Sequence, residues 1–401
     1  MTYYTVLGVF VALLVPYTKG LFSAWGLRWA YILGFAFTLS YLLTPIVRSW
    51  ASALNVVDIP SARKIHAEPT PLMGGLAIYI AFVCAMSANF IFTTEVTGIL
   101  IGSTIIAIIG LTDDVVGVGA RTKLIAQIIA TVIVIASGVS LILIPRAWFG
   151  STMLNGVLTM LWIIGLTNAM NFFDGMDGLA PGLTAVISFF MGVLAFQTNQ
   201  PFLGWMAIAI LGVSLGFLPY NFRRSGPATI FLGDTGSTFL GFTLACLAVL
   251  GEWAHNNPIV SLTAPLLIFS VLIFDMVHTT VARFYTGKVS TFREWLEFTG
   301  KDHMHHRLAE VLHNQRHSVL FILLLASCMG LASTVLRNAG TRDALLLIAQ
   351  AVVILLLVTI LENVSRRRKQ EGAKQQRPSG VPDEEQSTPM TAPNEPEKDA
   401  L

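Results

Sequence analysis

The chain has 401 residues, of which 54% are apolar and only 12% charged, and its mean hydropathy is +0.69. An ordinary soluble domain carries about 25% charged residues, so this composition excludes a water-soluble enzyme. The net charge of +2 says nothing about nucleic acid, because no basic face exists outside the loops. Cys84, Cys246 and Cys328 lie in apolar runs without CxxC spacing, which points to neither a disulfide framework nor a zinc site.

A spanning helix needs about 20 mostly apolar residues. The first apolar stretch, residues 3–17, lacks the basic start and small-residue cleavage site of a signal peptide. It is short, and either crosses the membrane or lies at its surface. Eleven further runs follow, at 29–47, 72–92, 96–111, 124–143, 154–166, 179–196, 202–218, 237–253, 259–282, 319–336 and 344–361. Lipid cannot satisfy free backbone groups, and these runs are too long and too uniformly apolar for barrel strands. The expected fold is all-α: a polytopic membrane protein of about eleven transmembrane helices, or twelve with the N-terminal stretch. Residues 1–28 form an N-terminal segment, 29–363 the membrane domain and 364–401 a charged tail. The tail opens Arg366-Arg367-Arg368-Lys369, suited to anionic headgroups, and then lacks any apolar period, as a disordered segment does.

Eleven spans divide the loops between two sides. Lys19, Arg28, Arg146, Arg337 and Arg342 fall on one side and the other 20 of the 25 Lys and Arg on the opposite one. The positive-inside rule makes the second side cytoplasmic, in the inner membrane of a cell. Most of the acidic residues before the tail gather there too, beside glycines. A cytoplasmic active site explains that loading.

Five cytoplasmic clusters carry chemistry. In the first, Lys64 and His66 offer cations to a phosphate, and Pro69 and Pro71 stiffen an approach to Gly74 and Gly75, which permit close backbone contact. In the second, Asp113 and Asp114 stand side by side before Gly117, Arg121, Lys123 and Gln127. Adjacent carboxylates persist where a cation or proton relieves their repulsion; a helix cap accounts for one of them but not both. The third places oxygen-bearing side chains at Asn168, Asn171, Asp174 and Asp177. Spacing of three drifts around an α-helix, so the glycines after each Asp imply that the helix ends and a turn re-aims the later pair. Such ligands suit Mg²⁺, or Mn²⁺ in its place. In the fourth, Asp234 in Gly233-Asp234-Thr235-Gly236-Ser237 begins a helix, either as a plain cap or as the holder of a metal on a diphosphate. In the fifth, Asp302-His303-Met304-His305-His306-Arg307 has neither the cysteine pair nor the HExxH pattern of a zinc site, and reads as a phosphate-binding cluster. Asp275, three residues before His278 in an apolar helix, reads as a buried group with a partner near the cytoplasmic end. Together the clusters imply Mg²⁺-assisted chemistry between a lipid phosphate and a soluble nucleotide-linked donor.

The stretches 63–75, 113–127, 168–182, 233–237 and 303–308, in that order, resemble the polyprenyl-phosphate N-acetylhexosamine-1-phosphate transferase superfamily, glycosyltransferase family 4. The pattern His303-Met304-His305-His306-Arg307 and the Lys64-Ile65-His66 start resemble its WecA/TagO branch rather than the MraY branch. The resemblance implies transfer of a sugar 1-phosphate, GlcNAc-1-phosphate by preference, from a UDP-N-acetylhexosamine to undecaprenyl phosphate, releasing UMP and initiating a cell-envelope polysaccharide such as lipopolysaccharide or teichoic acid. It implies Mg²⁺ on Asn171 and Asp234, and Asp113 or Asp114 deprotonating or positioning the lipid phosphate. It further implies Lys64, Lys123, His303, His305, His306 and Arg307 on phosphates, and Asp174 and Asp177 shaping the nucleotide pocket. In-line attack is the expected mechanism, with a covalent aspartyl intermediate as the alternative. The rivals are MraY-like transfer of phospho-MurNAc-pentapeptide and, more distantly, a cation-coupled transporter. The oligomeric state, a homodimer included, is left open. The segment 286–301, with Phe292, Trp295 and Phe298, is expected to form an amphipathic interfacial helix.

Overall fold

The computed structural model describes residues 2–59, 69–145, 147–253, 258–291, 294, 300 and 302–375. In chain order the helices are α1 (Thr2–Leu14), α2 (Pro16–Ala24), α3 (Arg28–Ala53), α4 (Gly74–Ala88), α5 (Thr94–Val116), α6 (Ala120–Ala136), α7 (Ser151–Phe172) and α8 (Leu179–Gln197). They continue as α9 (Pro201–Asn221), α10 (Gly233–Leu250), α11 (Pro258–Ile268), α12 (Ser270–Tyr285), α13 (Met304–Leu312), α14 (Gln315–Thr334) and α15 (Thr341–Gln375). Val57–Asp58 and Thr70–Pro71 pair as a short antiparallel ribbon.

The fold is all-α, and each of the eleven predicted runs is helical over most of its length. Among the described residues, eight helices are long and apolar enough to cross a membrane, or up to ten if each of two bent pairs makes one span. The run at 259–282 is one such pair: α11 and α12 meet at an angle of 78°, so a stretch read as one straight span changes direction at Phe269. The other pair is α1 and α2, bent by 77°. Pro16 has no N–H to donate, and the hydroxyl of Thr18 donates instead to the carbonyl of Ala12, at 2.8 Å. The charged tail was expected from residue 364, but α15 continues as helix to Gln375. Residues 376–401, half of the expected interfacial helix at 286–301 with its Phe292, Trp295 and Phe298, and Lys64 and His66 lie outside the described residues.

At the centre stands α10, whose residues from Thr235 to Val249 are all buried. It packs against α4, α5, α7 and α8, while α3 packs on α9 and α9 on α8. Close backbone approach sets these contacts. A Cβ on Gly75 would lie 2.0 Å from the Gly236 nitrogen, and one on Gly110 would lie 2.6 Å from the Thr235 Cα. The start of α4 is also laced to the start of α10: the N–H groups of Gly74 and Gly75 donate to the carbonyls of Phe231 and Leu232 at 3.0 and 2.8 Å, and the Phe231 N–H donates to Pro71 at 2.8 Å. The Gly74-Gly75 pair thus makes the close contact its sequence implies, and its partner is the loop that carries Asp234.

Candidate active site

The site assembles where α5 and α7 end and α6 and α10 begin. Asp113 stands in the last turn of α5, Lys123 in the first turn of α6, Asn171 at the end of α7 and Asp234 in the first turn of α10. The Lys123 ammonium donates to Asp113 Oδ2 at 2.6 Å and also to Asp234 Oδ2. Asn171 Nδ2 donates to Asp234 Oδ1 at 3.0 Å and to the Ser237 hydroxyl at 2.9 Å. Four residues from three sequence-distant clusters therefore share one hydrogen-bonded network.

The adjacent carboxylates are relieved in two different ways. Asp113 has Lys123, and its Oδ1 accepts the Val118 N–H at 2.6 Å. Asp114 instead caps a different helix. Its oxygens accept the N–H groups of Asp234 and Thr235, at 2.8 and 3.1 Å, and the Thr235 hydroxyl at 2.5 Å. An anion there meets unpaired N–H groups and the positive end of the α10 dipole. Its place identifies Asp114 as the residue that positions Asp234.

The third cluster behaves as its glycines imply. The helix α7 ends at Phe172, a turn follows, and α8 starts at Leu179 with Gly178 at φ +80°. Asn168, still on α7, pairs with Gln127 of α6, its Nδ2 donating to Gln127 Oε1 at 2.9 Å. Asp177 accepts the Ala228 N–H at 2.8 Å, which ties this turn to the 222–232 loop. Asp174 faces inward. Withdrawal from water, and then the charges of Asp234, Asp114 and Asp177, hold its carboxyl well above the usual carboxylate range, despite the N–H of Gly233.

A cavity of about 200 Å³ opens beside this network. One wall is Asn171, Phe172, Asp174 and Gly175, and the other includes Arg283, His303 and His306. The histidine segment reaches it by a buried path. Asp275 accepts from His303 Nδ1 at 2.7 Å and from the Met304 N–H at 2.6 Å. The expected partner of Asp275 on its own helix, His278, stacks on Phe274 instead. With Nδ1–H committed to Asp275, His303 Nε2 is left to accept from Arg283, 3.3 Å away. Arg283 is also gripped bidentately by Asp302, at 2.9 and 2.7 Å. Burial pushes the Asp302 carboxyl up, but the Arg283 fork outweighs it and holds it below the usual value.

Three described residues expected on phosphates do not line the cavity: Lys123, which stands in the carboxylate network, His305 and Arg307. His305 is 1% exposed, and neither ring nitrogen has a hydrogen-bond partner among the described residues. Burial, then the charges of His306, His303 and Arg307, hold its imidazole well below the usual value, so it is neutral. A Cβ on Gly175 would sit 2.7 Å from its Nε2, so this imidazole lies directly behind the cavity wall. Arg307 is buried and bonded to Glu362 and to the Asp302 carbonyl. The guanidinium at the cavity is that of Arg283, which was missed because one arginine at the end of an apolar helix carries no pattern.

For a divalent metal, the donor set can be judged directly. No group of three or more His, Cys, Asp or Glu arranged to hold a metal occurs among the described residues. Asp234 and Asn171 put a carboxylate beside an amide whose Nδ2 faces it; turning that amide over would set its Oδ1 beside the carboxylate as a second hard oxygen. Mg²⁺ binds through such one or two protein oxygens and takes its remaining ligands from water and substrate phosphates. The residues fit that mode.

The architecture and the site define a multi-pass membrane protein whose carboxylates, amides and cations meet at one end of its helices, around a cavity lined by histidine and arginine. Residues 96–252 match the family described as glycosyl transferase family 4. The chain is 34% identical over 312 residues to the probable undecaprenyl-phosphate N-acetylglucosaminyl 1-phosphate transferase of Bacillus subtilis, covering 77% of this chain and 84% of that protein. It is 33% identical over 349 residues to the decaprenyl-phosphate N-acetylglucosaminephosphotransferase of Mycobacterium tuberculosis, covering 78% and 84%. A phospho-N-acetylmuramoyl-pentapeptide-transferase of Clostridium botulinum is 31% identical over 241 residues, covering 55% of this chain and 72% of that protein. The chain belongs to glycosyl transferase family 4, among its polyprenyl-phosphate hexosamine-1-phosphate transferases.

Proposed function

We propose that this protein transfers GlcNAc 1-phosphate from UDP-GlcNAc to undecaprenyl phosphate at the cytoplasmic face of the inner membrane. An oxygen of the lipid phosphate forms a bond to the sugar-bearing phosphorus of the donor. The bond from that phosphorus to the oxygen bridging to the uridine-bearing phosphate breaks, and UMP leaves with the electron pair. The products are undecaprenyl-diphospho-GlcNAc and UMP.

The observation that carries this reading is the network of Asp113, Lys123, Asp234 and Asn171 beside the cavity lined by His303, His306 and Arg283. It has the parts the reaction requires and little else. Asp113 takes the proton of the acceptor phosphate or fixes its approach, and Lys123 neutralises charge between the two carboxylates. His303, His306 and Arg283 hold the donor, with His303 kept in one tautomer by Asp275. Mg²⁺, held by Asp234 and Asn171, would neutralise the diphosphate as charge moves to UMP. The names of the Bacillus and Mycobacterium relatives support the same chemistry and the same sugar. The muramoyl-pentapeptide reading has the shorter match.

A donor panel tests the proposal. Purified protein, undecaprenyl phosphate and Mg²⁺ are supplied in turn with UDP-GlcNAc, UDP-GalNAc and UDP-MurNAc-pentapeptide, and UMP is measured. UMP release is expected with UDP-GlcNAc, lost on chelation and restored by Mg²⁺. Release with UDP-MurNAc-pentapeptide alone would assign the other branch, and chelator-resistant turnover would remove the metal.

A further inference from the structure

Glu362 lies on α15, 1% exposed, within the segment 341–365 that is apolar enough to cross a membrane. An ionisable group at such a depth persists when it is paired. Its Oε2 accepts from Arg307 Nε at 2.8 Å, and Arg307 is itself 5% exposed. The other end of that guanidinium donates to the Asp302 carbonyl, while its Nη2 lies 3.9 Å from Asp275 Oδ1. Asp275 in turn binds His303 Nδ1 and the Met304 N–H. A path therefore runs from the last helix to the cavity through Glu362, Arg307, Asp275 and His303, with hydrogen bonds at both ends and a longer ion-pair contact of 3.9 Å between Arg307 and Asp275.

The path bridges the last helix and the start of α13. The helix α13 has nine residues, too short to be stable alone, and it packs on α14 and α15. His303 is the residue just before its first turn. A buried, charge-assisted bond from Arg307 to a helix that crosses the membrane fixes where that turn begins.

We propose that Glu362 is a positioning residue for the transfer reaction: through Arg307 it fixes the start of α13 and so the placement of His303 on the donor side of the cavity. The assignment rests on the transferase reading given above. Glu362 touches neither the cavity nor the Asp113–Asp234 network. Its loss acts through donor geometry and leaves acceptor binding intact.

The test uses the full chain in detergent or nanodiscs, with UMP release normalised to folded protein by size exclusion. Glu362→Gln keeps the shape and removes the charge. A misplacement of about 1 Å costs about 100-fold in rate, so kcat is expected to fall roughly 10- to 100-fold while KM for undecaprenyl phosphate stays constant. In a His303→Ala background the same change is expected to add little, because both act through one group. Glu362→Asp, which retracts the carboxylate but keeps its charge, is expected to fall between wild type and Glu362→Gln. Wild-type kcat in Glu362→Gln, or an undiminished loss in the His303→Ala background, overturns the proposal. If Glu362→Gln does not fold, Glu362→Asp decides, and wild-type kcat there overturns it equally. If the wild type releases no UMP, the transferase reading has failed. The imidazole ¹⁵N signals of His303 then judge the positioning separately, shifting in the Glu362 variants if the path exists and unmoved if it does not.

Discussion

Replacing Asp114 by alanine separates the two neighbouring carboxylates most sharply. In the folded protein Asp114 accepts three hydrogen bonds from the first turn of α10. Substitution removes the cap and strands two backbone N–H groups, at about 1–3 kcal/mol each where water cannot reach them. Desolvation of the carboxylate is recovered and offsets part of this, leaving a net loss of about 3 kcal/mol. In a soluble domain of 150–250 residues that is roughly 6–12 °C in unfolding temperature. Activity falls as well, because Asp234 sits in the turn that loosens. Asp113→Asn is the control. Its Oδ1 can still accept the Val118 N–H, and Lys123 keeps Asp234 as a charged partner, so only one partly buried charge contact is lost. Stability changes by less than about 1 kcal/mol, while kcat drops by orders of magnitude. Thermal unfolding in detergent and UMP release on the same preparations give both quantities. An Asp114→Ala protein as stable as Asp113→Asn would refute the capping role.

Two further outcomes are expected. Gly75→Ala puts a methyl 2.0 Å from the Gly236 nitrogen, so α4 and α10 must separate. Overpacking of this kind costs about 1–3 kcal/mol, and an unfolding temperature equal to wild type would show that the two backbones are not in contact. The pH dependence follows from Asp174, whose carboxyl is raised in the folded protein. The folded chain then binds this proton more tightly than the unfolded one. The resulting stability is complete below the unfolded value of about 3.9 and declines as pH rises towards the folded value. Asp174→Asn cannot ionise, so its unfolding temperature should fall less between pH 5 and pH 8 than that of wild type; equal slopes would contradict the assignment.

Much of this arrangement is legible in the chain because membrane burial makes polar residues conspicuous. Asp113, Asn171 and Asp234 stand out against apolar runs, and the glycines beside them announce turns and close contacts. Pairing between distant segments is less visible. Asp275 is read against His278 because a helix shows only its local neighbours, whereas its partner His303 lies 28 residues away. Arg307 looks like a phosphate ligand until Glu362, 55 residues on, is found against it. Hydropathy likewise has no direction, so 259–282 reads as one span although it bends by 78° at Phe269. The paired aspartates show the same limit. Their repulsion is evident from sequence, but that one is met by Lys123 and the other by the start of α10 depends on the fold.

Phosphoryl transfer and simple glycosyl transfer leave different nucleotides, so identifying the nucleotide tests the central claim most directly. Purified protein given UDP-GlcNAc, undecaprenyl phosphate and Mg²⁺ should release UMP in equal amount to a lipid that carries a diphosphate-linked GlcNAc, and Asp234→Ala should release none while remaining folded. Release of UDP, or undiminished UMP release from Asp234→Ala, would contradict the account.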